Sequence, residues 1–416
     1  MMRPSVIRSP SLSTEGRRKI EWVRRNMPIL GRLEAEFRSR RPFSDLRIAV
    51  SVHFEAKTAY LAELFAAGGA LVSVTGSNSL STKDDVAAAV AERGIKVYAT
   101  HGATPEEFQE QHLLALDIEP NIIIDDGGDL VHDIHVHRPH LIANVFGACE
   151  ETTSGVLRDS ARAKEGALRF PVILVNNAQC KYLFDNRYGT GQSSWEAIMR
   201  TTNLNIAGSR AVIVGYGWCG KGCAMRAKGL GAEVIVCEVD PVKAVEAVMD
   251  GFRVMKMEEA APLGDFFLTV SGCSDVLTEP HFARMKDGAV IANAGHFDAE
   301  IDLQSLARIS VEQLDVRENI SGFRMDDGRW IYLLGGGGLV NITCGDGHPA
   351  EIMDTSFALQ ALSAQYVAEH RDSLTVDVHP VPAEIDQAVA RLKLETLGVR
   401  IDTLTVAQES YLRSSQ

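Results

Sequence analysis

Arg210-Ala-Val-Ile-Val-Gly-Tyr-Gly-Trp-Cys-Gly-Lys-Gly222 decides how this chain is read. The apolar run to Val214 has the length and composition of a buried strand. Gly215, Gly217 and Gly220 follow it directly and open a helix. Glu238 closes the next apolar run, Val234 to Cys237, at about the 20-residue distance where an acidic residue meets a ribose. In this context the glycines allow a tight turn, close approach of a pyrophosphate and close helix–strand packing, while the helix N-terminal amides take up negative charge. A carboxylate at Glu238 would accept from a ribose diol and repel a 2′-phosphate, so the expected cofactor is NAD rather than NADP. The alternative is a tight strand-to-helix turn that binds nothing.

Working outward, strands and helices alternate on both sides of this stretch. Leu46 to Val52, Ala70 to Thr75, Ile95 to Ala99 and Asn121 to Asp125 read as strands, with helices at Ala56 to Ala67 and Asp84 to Arg93. After residue 190 the pattern restarts with strands Arg210 to Val214, Val234 to Cys237, Phe266 to Val270 and Ala289 to Ala292, and a helix from Gly222 to Leu230. It ends near Gly335-Gly-Gly-Gly338, and an amphipathic helix follows from Met353 to Glu369. The predicted fold class is α/β, with two units of parallel sheet covered by helices.

Composition narrows the function. The 416 residues are 45% hydrophobic and 23% charged, which excludes general disorder and gives room for more than one core. The net charge of −13 argues against a nucleic-acid partner, which calls for a basic footprint. No apolar run reaches the ~18 residues that suggest a membrane span. Seven cysteines without a CxxC pair read as reduced thiols in a cytoplasmic protein. The N-terminus lacks an apolar signal core and reads as a frayed tail. His132, His135, His137 and His140 resemble a metal-ligand spacing, but no carboxylate–histidine pattern supports one, and solvated helix and turn residues are expected.

Seven ordered segments carry a resemblance. They are His53-Phe-Glu-Ala-Lys-Thr58, Asp125-Asp-Gly-Gly-Asp-Leu130, Glu150-Glu-Thr-Thr-Ser-Gly155, Lys181-Tyr-Leu-Phe-Asp-Asn-Arg-Tyr-Gly-Thr190, Gly215-Tyr-Gly-Trp-Cys-Gly-Lys-Gly222, Asn293-Ala-Gly-His-Phe-Asp298 and Gly345-Asp-Gly-His-Pro349. Together they make the sequence similar to the S-adenosylhomocysteine hydrolases, in their shorter archaeal and thermophilic-bacterial form, from about residue 15 to 416. The resemblance implies a substrate-binding domain (1–187 and 348–388), a Rossmann NAD-binding domain (188–347) and a C-terminal segment (389–416). It also implies a homotetramer with tightly bound NAD acting on a small purine nucleoside.

The implied chemistry oxidises the ribose 3′-hydroxyl, removes the C4′ proton, expels the 5′ substituent, adds water and reduces the ketone again. Carried over by position, Lys181 and Asp185 would work at the 3′-hydroxyl and C4′. Lysine suits a base there if its surroundings lower its pKa. Glu151 would bind the ribose hydroxyls, and His53, Asp126 and His296 would surround the 5′ position. Thr152, Thr153, Ser154, Asn186, Asn293 and Asn341 would join Gly215, Gly217, Gly220 and Glu238 around NAD. Glu55, Lys57, Thr58, Lys83 and His348 would hold the substrate, with His348 against the base. No metal enters this chemistry.

The sequence also departs from the family pattern. Gly335 to Gly338 replaces Ala-Glu-Gly-Arg, Lys83 stands for a glutamine, Asn177 for an aspartate and Ser154 for a threonine. Lys57 stands where the long form has an acidic residue. A lysine donates only, which suits the 6-oxo group of hypoxanthine better than the amine of adenine. Changes on the substrate side motivate a second expectation, a specialised paralogue that expels water from a 5′-hydroxy nucleoside to give a 4′,5′-unsaturated product, as in nucleoside-antibiotic biosynthesis. A third is a non-catalytic relative that binds NAD and regulates a partner.

Overall fold

The computed structural model describes residues 3–295 and 298–414. The first strands are β1 (Arg47–Ser51), β2 (Leu71–Thr75), β3 (Lys96–Tyr98), β4 (Ile122–Asp125), β5 (Gly147–Glu150) and β6 (Val172–Leu174). The middle of the chain gives β7 (Arg210–Val214), β8 (Glu233–Cys237), β9 (Arg253–Val254), β10 (Phe266–Thr269), β11 (Ala289–Asn293), β12 (Ser310–Arg317), β13 (Ile320–Met325) and β14 (Trp330–Leu334). A last strand, β15 (Val378–Pro380), returns to the first group.

Two sheets result. The first is parallel throughout, in the order β15-β6-β5-β4-β1-β2-β3. The second has the order β12-β13-β14-β11-β10-β7-β8-β9, parallel except for β13 and β12, which turn back as an antiparallel edge. Each sheet separates two cores because successive side chains point to opposite faces. Ile48 and Val50 of β1 enter one core while Ala49 enters another. Ala211 and Ile213 of β7 likewise face away from Val212 and Val214. Burial on both faces explains why these strands read as unbroken apolar runs.

The order of each sheet reverses once, between β1 and β4 in the first and between β7 and β10 in the second. Crevices at such reversals, beyond the carboxyl ends of the strands, are where open α/β sheets bind ligands. His53 follows β1, Asp126 follows β4, and the glycine turn follows β7.

Several expectations need correction. β5, β6 and β15 are only three or four residues long, too short for a periodic signal, and β12 is exposed and rich in charge, so no apolar alternation marks it. The helix after the glycine turn starts at Trp218 rather than Gly222. The N-terminal stretch is tied down at Val6, which donates to the Val97 carbonyl at 2.8 Å and accepts from Ala99 N at 3.1 Å. The helix Ala383–Thr396 runs through the boundary placed at residue 389 and buries Val389 in the first core. Among the described residues, no helix is long and apolar enough to cross a membrane.

Candidate active site

The loops at the two reversals face each other across one cavity of about 690 Å³. His53, Glu55, Lys57, Thr58, Lys83, Asp126, Glu151, Lys181 and Asp185 line it, with Thr152, Thr153, Ser154 and Asn186. Gly217, Trp218, Ser271, Asn341 and His348 line it as well.

The centre is a buried charge cluster built by an unusual backbone. Tyr182–Gly189 is a π-helical segment, wider than an α-helix, entered from a short helix at Gln179–Lys181 and left through the helix Thr190–Thr202. The wide turn lets Lys181 reach both Asp185 and Asn186: its Nζ donates to Asn186 Oδ1 at 2.9 Å and pairs with Asp185 Oδ1 at 3.3 Å. Glu151 Oε1, at the end of β5, lies 3.6 Å from the same ammonium.

The remaining valences come from the helix Ala350–His370, an apolar helix with a few fully buried polar residues. Ser356 donates to Asp185 Oδ2 at 2.7 Å, and Gln360, one turn on, donates to Glu151 Oε2 at 2.5 Å. His348 Nδ1 meets Asp185 Oδ1 at 2.9 Å, and its Nε2 meets Thr190 Oγ1 at 3.2 Å.

Electrostatics correct one expectation. Burial alone would lower the Lys181 pKa, but Asp185, Glu151 and Asp126 outweigh it, so Lys181 sits above its ordinary range and holds its proton. Burial would likewise raise Asp185, but Lys181 and His348 keep it below the usual carboxylate range. Glu151 goes the other way: burial, only partly opposed by Lys181, pushes it up to about 7. Glu151 is therefore the member of the cluster poised near neutrality.

His53 Nε2 lies 3.7 Å from Asp126 Oδ2, which also accepts from Ser77 Oγ at 2.9 Å. Glu55 caps the helix Ala56–Ala67 and accepts from Lys57 Nζ at 2.8 Å. Lys57 Nζ also donates to the Asp346 carbonyl at 2.9 Å, and Lys83 Nζ reaches the Gly345 carbonyl at 3.4 Å. Thr58 spends its hydroxyl on the His53 carbonyl at 2.6 Å.

Two family patterns match the chain: S-adenosyl-L-homocysteine hydrolase over residues 5–140, and the NAD binding domain of S-adenosyl-L-homocysteine hydrolase over residues 186–347. The adenosylhomocysteinase of Pyrococcus abyssi is 54% identical over 99% of this chain and 97% of its own length.

The chain belongs to the S-adenosyl-L-homocysteine hydrolase family.

The S-inosyl-L-homocysteine hydrolase of Methanocaldococcus jannaschii is 51% identical, with 98% of each chain covered. The adenosylhomocysteinase of Thermotoga maritima is 52% identical over 96% of this chain and 99% of its own length. The hydrolase family thus includes relatives of both names at nearly equal distance.

The cofactor of the family is NAD, and the residues present fit it. A Cβ on Gly217 would meet no atom within 4 Å, so this stretch of cavity wall is bare backbone. A Cβ on Gly220 would instead overlap the Gly215 carbonyl oxygen, and Gly215 has a φ of 108°, so these two shape the turn. Buried Ser154 Oγ and Asn341 Oδ1, both on the cavity wall, have no hydrogen-bond partner among the described residues. Glu238 does not line the cavity; its carboxylate accepts from Tyr216 N at 2.6 Å, Val239 N at 2.7 Å and Asp240 N at 3.0 Å, at the end of β8.

Two further placements differ from expectation. Asn293 lies off the cavity wall: Thr269 Oγ1 and Gly295 N donate to its Oδ1, and its Nδ2 donates to the Gly295 and Gly337 carbonyls. Gly335 to Gly338 is also off the wall; its first three residues have positive φ, and a Cβ on Gly335 would overlap Thr343. The change there lies in the packing behind β11, not on the substrate side. His348 lines the cavity, with its ring seated between Asp185 and Thr190. His296 lies outside the described residues.

Sequence reasoning passed over Ser356 and Gln360. Their only signal is that they are polar and four apart, on a helix that also buries Asp354, Thr355 and Ser363. It also passed over Asn176, which accepts from Asn186 Nδ2 at 3.3 Å and donates to Thr153 Oγ1 at 3.2 Å. In the histidine run, His135 spends Nδ1 on the Val131 carbonyl and Nε2 on Arg169 N. Among the described residues, no group of three or more His, Cys, Asp or Glu side chains is placed to hold a metal.

Proposed function

We propose that this protein is an NAD-dependent hydrolase that reversibly cleaves S-adenosylhomocysteine to adenosine and homocysteine. The observation that carries the reading is the Lys181–Asp185–Glu151 cluster sharing one cavity with the His53–Asp126 pair and the Gly217 turn. Bound NAD supplies reversible hydride acceptance at the ribose 3′ carbon, and Gly217, Ser154, Asn341 and Glu238 would hold it.

The chain's own residues handle protons. Glu151 takes the 3′-hydroxyl proton, since it alone in the cluster is poised near neutrality. Asp185, held anionic beside Lys181, takes the C4′ proton, and the Lys181 ammonium stabilises the negative charge that develops on the 3′ oxygen as that proton leaves. His53, oriented by Asp126, gives a proton to the departing sulfur and takes one from the incoming water. Asn186, held by Lys181 and Asn176, would align the nicotinamide.

A second reading takes S-inosylhomocysteine as substrate. Lys57 favours it: Nζ has three hydrogens, two of which go to Glu55 and Asp346, leaving one for a 6-oxo group. The dehydratase alternative loses part of its motive, because the four-glycine run lies away from the cavity, while the altered residues Lys57, Lys83 and Ser154 stay on its wall. We also infer a cytoplasmic homotetramer, and a division into a substrate domain (1–187 and 348–396) and a cofactor domain (188–347).

The test mixes NAD-loaded protein separately with S-adenosylhomocysteine, S-inosylhomocysteine and adenosine, following thiol release and products by mass spectrometry. Thiol release from a homocysteine adduct supports the hydrolase and identifies the base. A product lighter by one water, formed without thiol, overturns it in favour of the dehydratase.

A further inference from the structure

We infer that His348 is a positioning residue for Asp185, and that the Gly345–His348 loop couples occupation of the base end of the cavity to proton handling at the ribose. The inference deepens the function proposed above and rests on it.

The geometry is built in at both ends of the loop. At its start, the Gly345 and Asp346 carbonyls accept from Lys83 and Lys57, two cations on the cavity wall. Gly347, at a φ of 72°, turns the chain, and its N–H donates to the Asn341 carbonyl at 2.9 Å. The turn delivers His348 across Gly189, where a Cβ would lie 2.8 Å from Nδ1, so the ring is seated where only glycine leaves room. At that seat Nδ1 meets Asp185 Oδ1 at 2.9 Å. An anionic Asp185 accepts only, so Nδ1 carries the hydrogen.

Asp185 then has a hydrogen-bond donor on each oxygen, His348 on Oδ1 and Ser356 on Oδ2, with Lys181 near Oδ1. Loss of the His348 donor leaves Oδ1 to Lys181 alone. The ammonium then moves toward Asp185 and away from Glu151 and the substrate oxygen. A base that takes the third hydrogen of Lys57 draws the ammonium toward itself, and through the bond to the Asp346 carbonyl so loads the loop that ends in His348.

The experiment follows reduction of bound NAD, at the reduced-nicotinamide absorbance, after adding adenosine or inosine to the purified holoprotein. A charge-assisted hydrogen bond corresponds to roughly 10- to 100-fold in rate, so His348→Ala is expected to slow reduction by about that factor. Bound NAD and nucleoside half-saturation stay close to wild type. His348→Asn, whose amide can donate toward Asp185, recovers most of the rate. Should His348→Ala lose NAD or unfold, His348→Leu replaces it as the variant without a donor. Lys57→Met slows reduction at saturating nucleoside in the wild type and adds nothing in the His348→Ala background. A changed half-saturation with an unchanged rate, Asn no better than Ala or Leu, or additive Lys57 and His348 effects would each overturn the inference. If wild-type protein reduces no NAD with any nucleoside, the proposed function fails instead.

Discussion

Lys181 Nζ and Glu151 Oε1 stand 3.6 Å apart in the cavity wall, with both side chains almost wholly withdrawn from solvent. An ion pair in such surroundings is a weak source of stability, yet removing one partner strands the other. Lys181→Ala leaves Glu151 and Asp185 as neighbouring carboxyls without their cation. The expected result is protein that keeps its NAD, loses about 3–5 kcal/mol of stability and turns over at least ~100-fold more slowly. NAD content, thermal unfolding and a thiol-release assay read the three effects separately. Loss of NAD would mean that Lys181 holds the cofactor rather than the proton chemistry.

Glu151 carries the pH dependence. In the assigned role it accepts a proton, so nicotinamide reduction is expected to fall as pH drops below about 7, the value to which burial raises it. Its effect on stability has the opposite sense. A carboxyl that is raised in the folded state binds its proton more tightly folded than unfolded, so its contribution is full below its ordinary 4.5 and is lost as pH rises through about 7. Glu151→Gln should remove the acid limb of the rate profile along with most of the rate. It should also flatten thermal stability between those two pH values. An unchanged acid limb would assign that titration to another group.

The two glycines Gly217 and Gly220 should separate cofactor binding from folding. A methyl group at 217 meets no protein atom within 4 Å, so Gly217→Ala is expected to retain little NAD and, compared with wild type after both are stripped of NAD, to unfold within about 2 °C of it. A methyl group at 220 overlaps the Gly215 carbonyl, so Gly220→Ala is expected to lower stability by about 1–3 kcal/mol. Calorimetry and NAD released on denaturation check the pair. Full NAD retention by Gly217→Ala would remove this turn from the pyrophosphate.

Glu238 accepts three backbone N–H groups, one of them from Tyr216 inside the glycine turn. Glu238→Ala therefore releases the turn and deletes the acceptor for a ribose diol. Retained NAD is expected to fall roughly tenfold or more, as losing hydrogen bonds to a charged group implies. Unchanged NAD after gel filtration would confine Glu238 to holding the turn.

What could be read in the sequence follows from local rules. Ile48–Val50 and Ala211–Val214 announce buried strands because both faces of a parallel sheet are dry, and Gly215, Gly217 and Gly220 announce a turn because each position leaves no room for a side chain or must admit a ligand. Most of the candidate side chains from the ordered motifs line one cavity, while Glu238 and Asn293 lie off it. Short or exposed strands such as β6 and β12 carry no such pattern and stayed invisible.

Tertiary structure alone decided the rest. Ser356 lies 171 positions from the Asp185 it holds, and Gln360 lies 209 from Glu151, so neither pairing leaves a trace in local spacing. The protonation of Lys181 depends on which charges share its burial, and three carboxylates outweigh desolvation there. The four-glycine run reads in sequence as an altered binding site yet lies off the cavity wall, because only the folded chain determines which surface faces the cavity. Sequence sets what each residue can do; the distances and the exclusion of water that set what it does arise only when distant segments pack together.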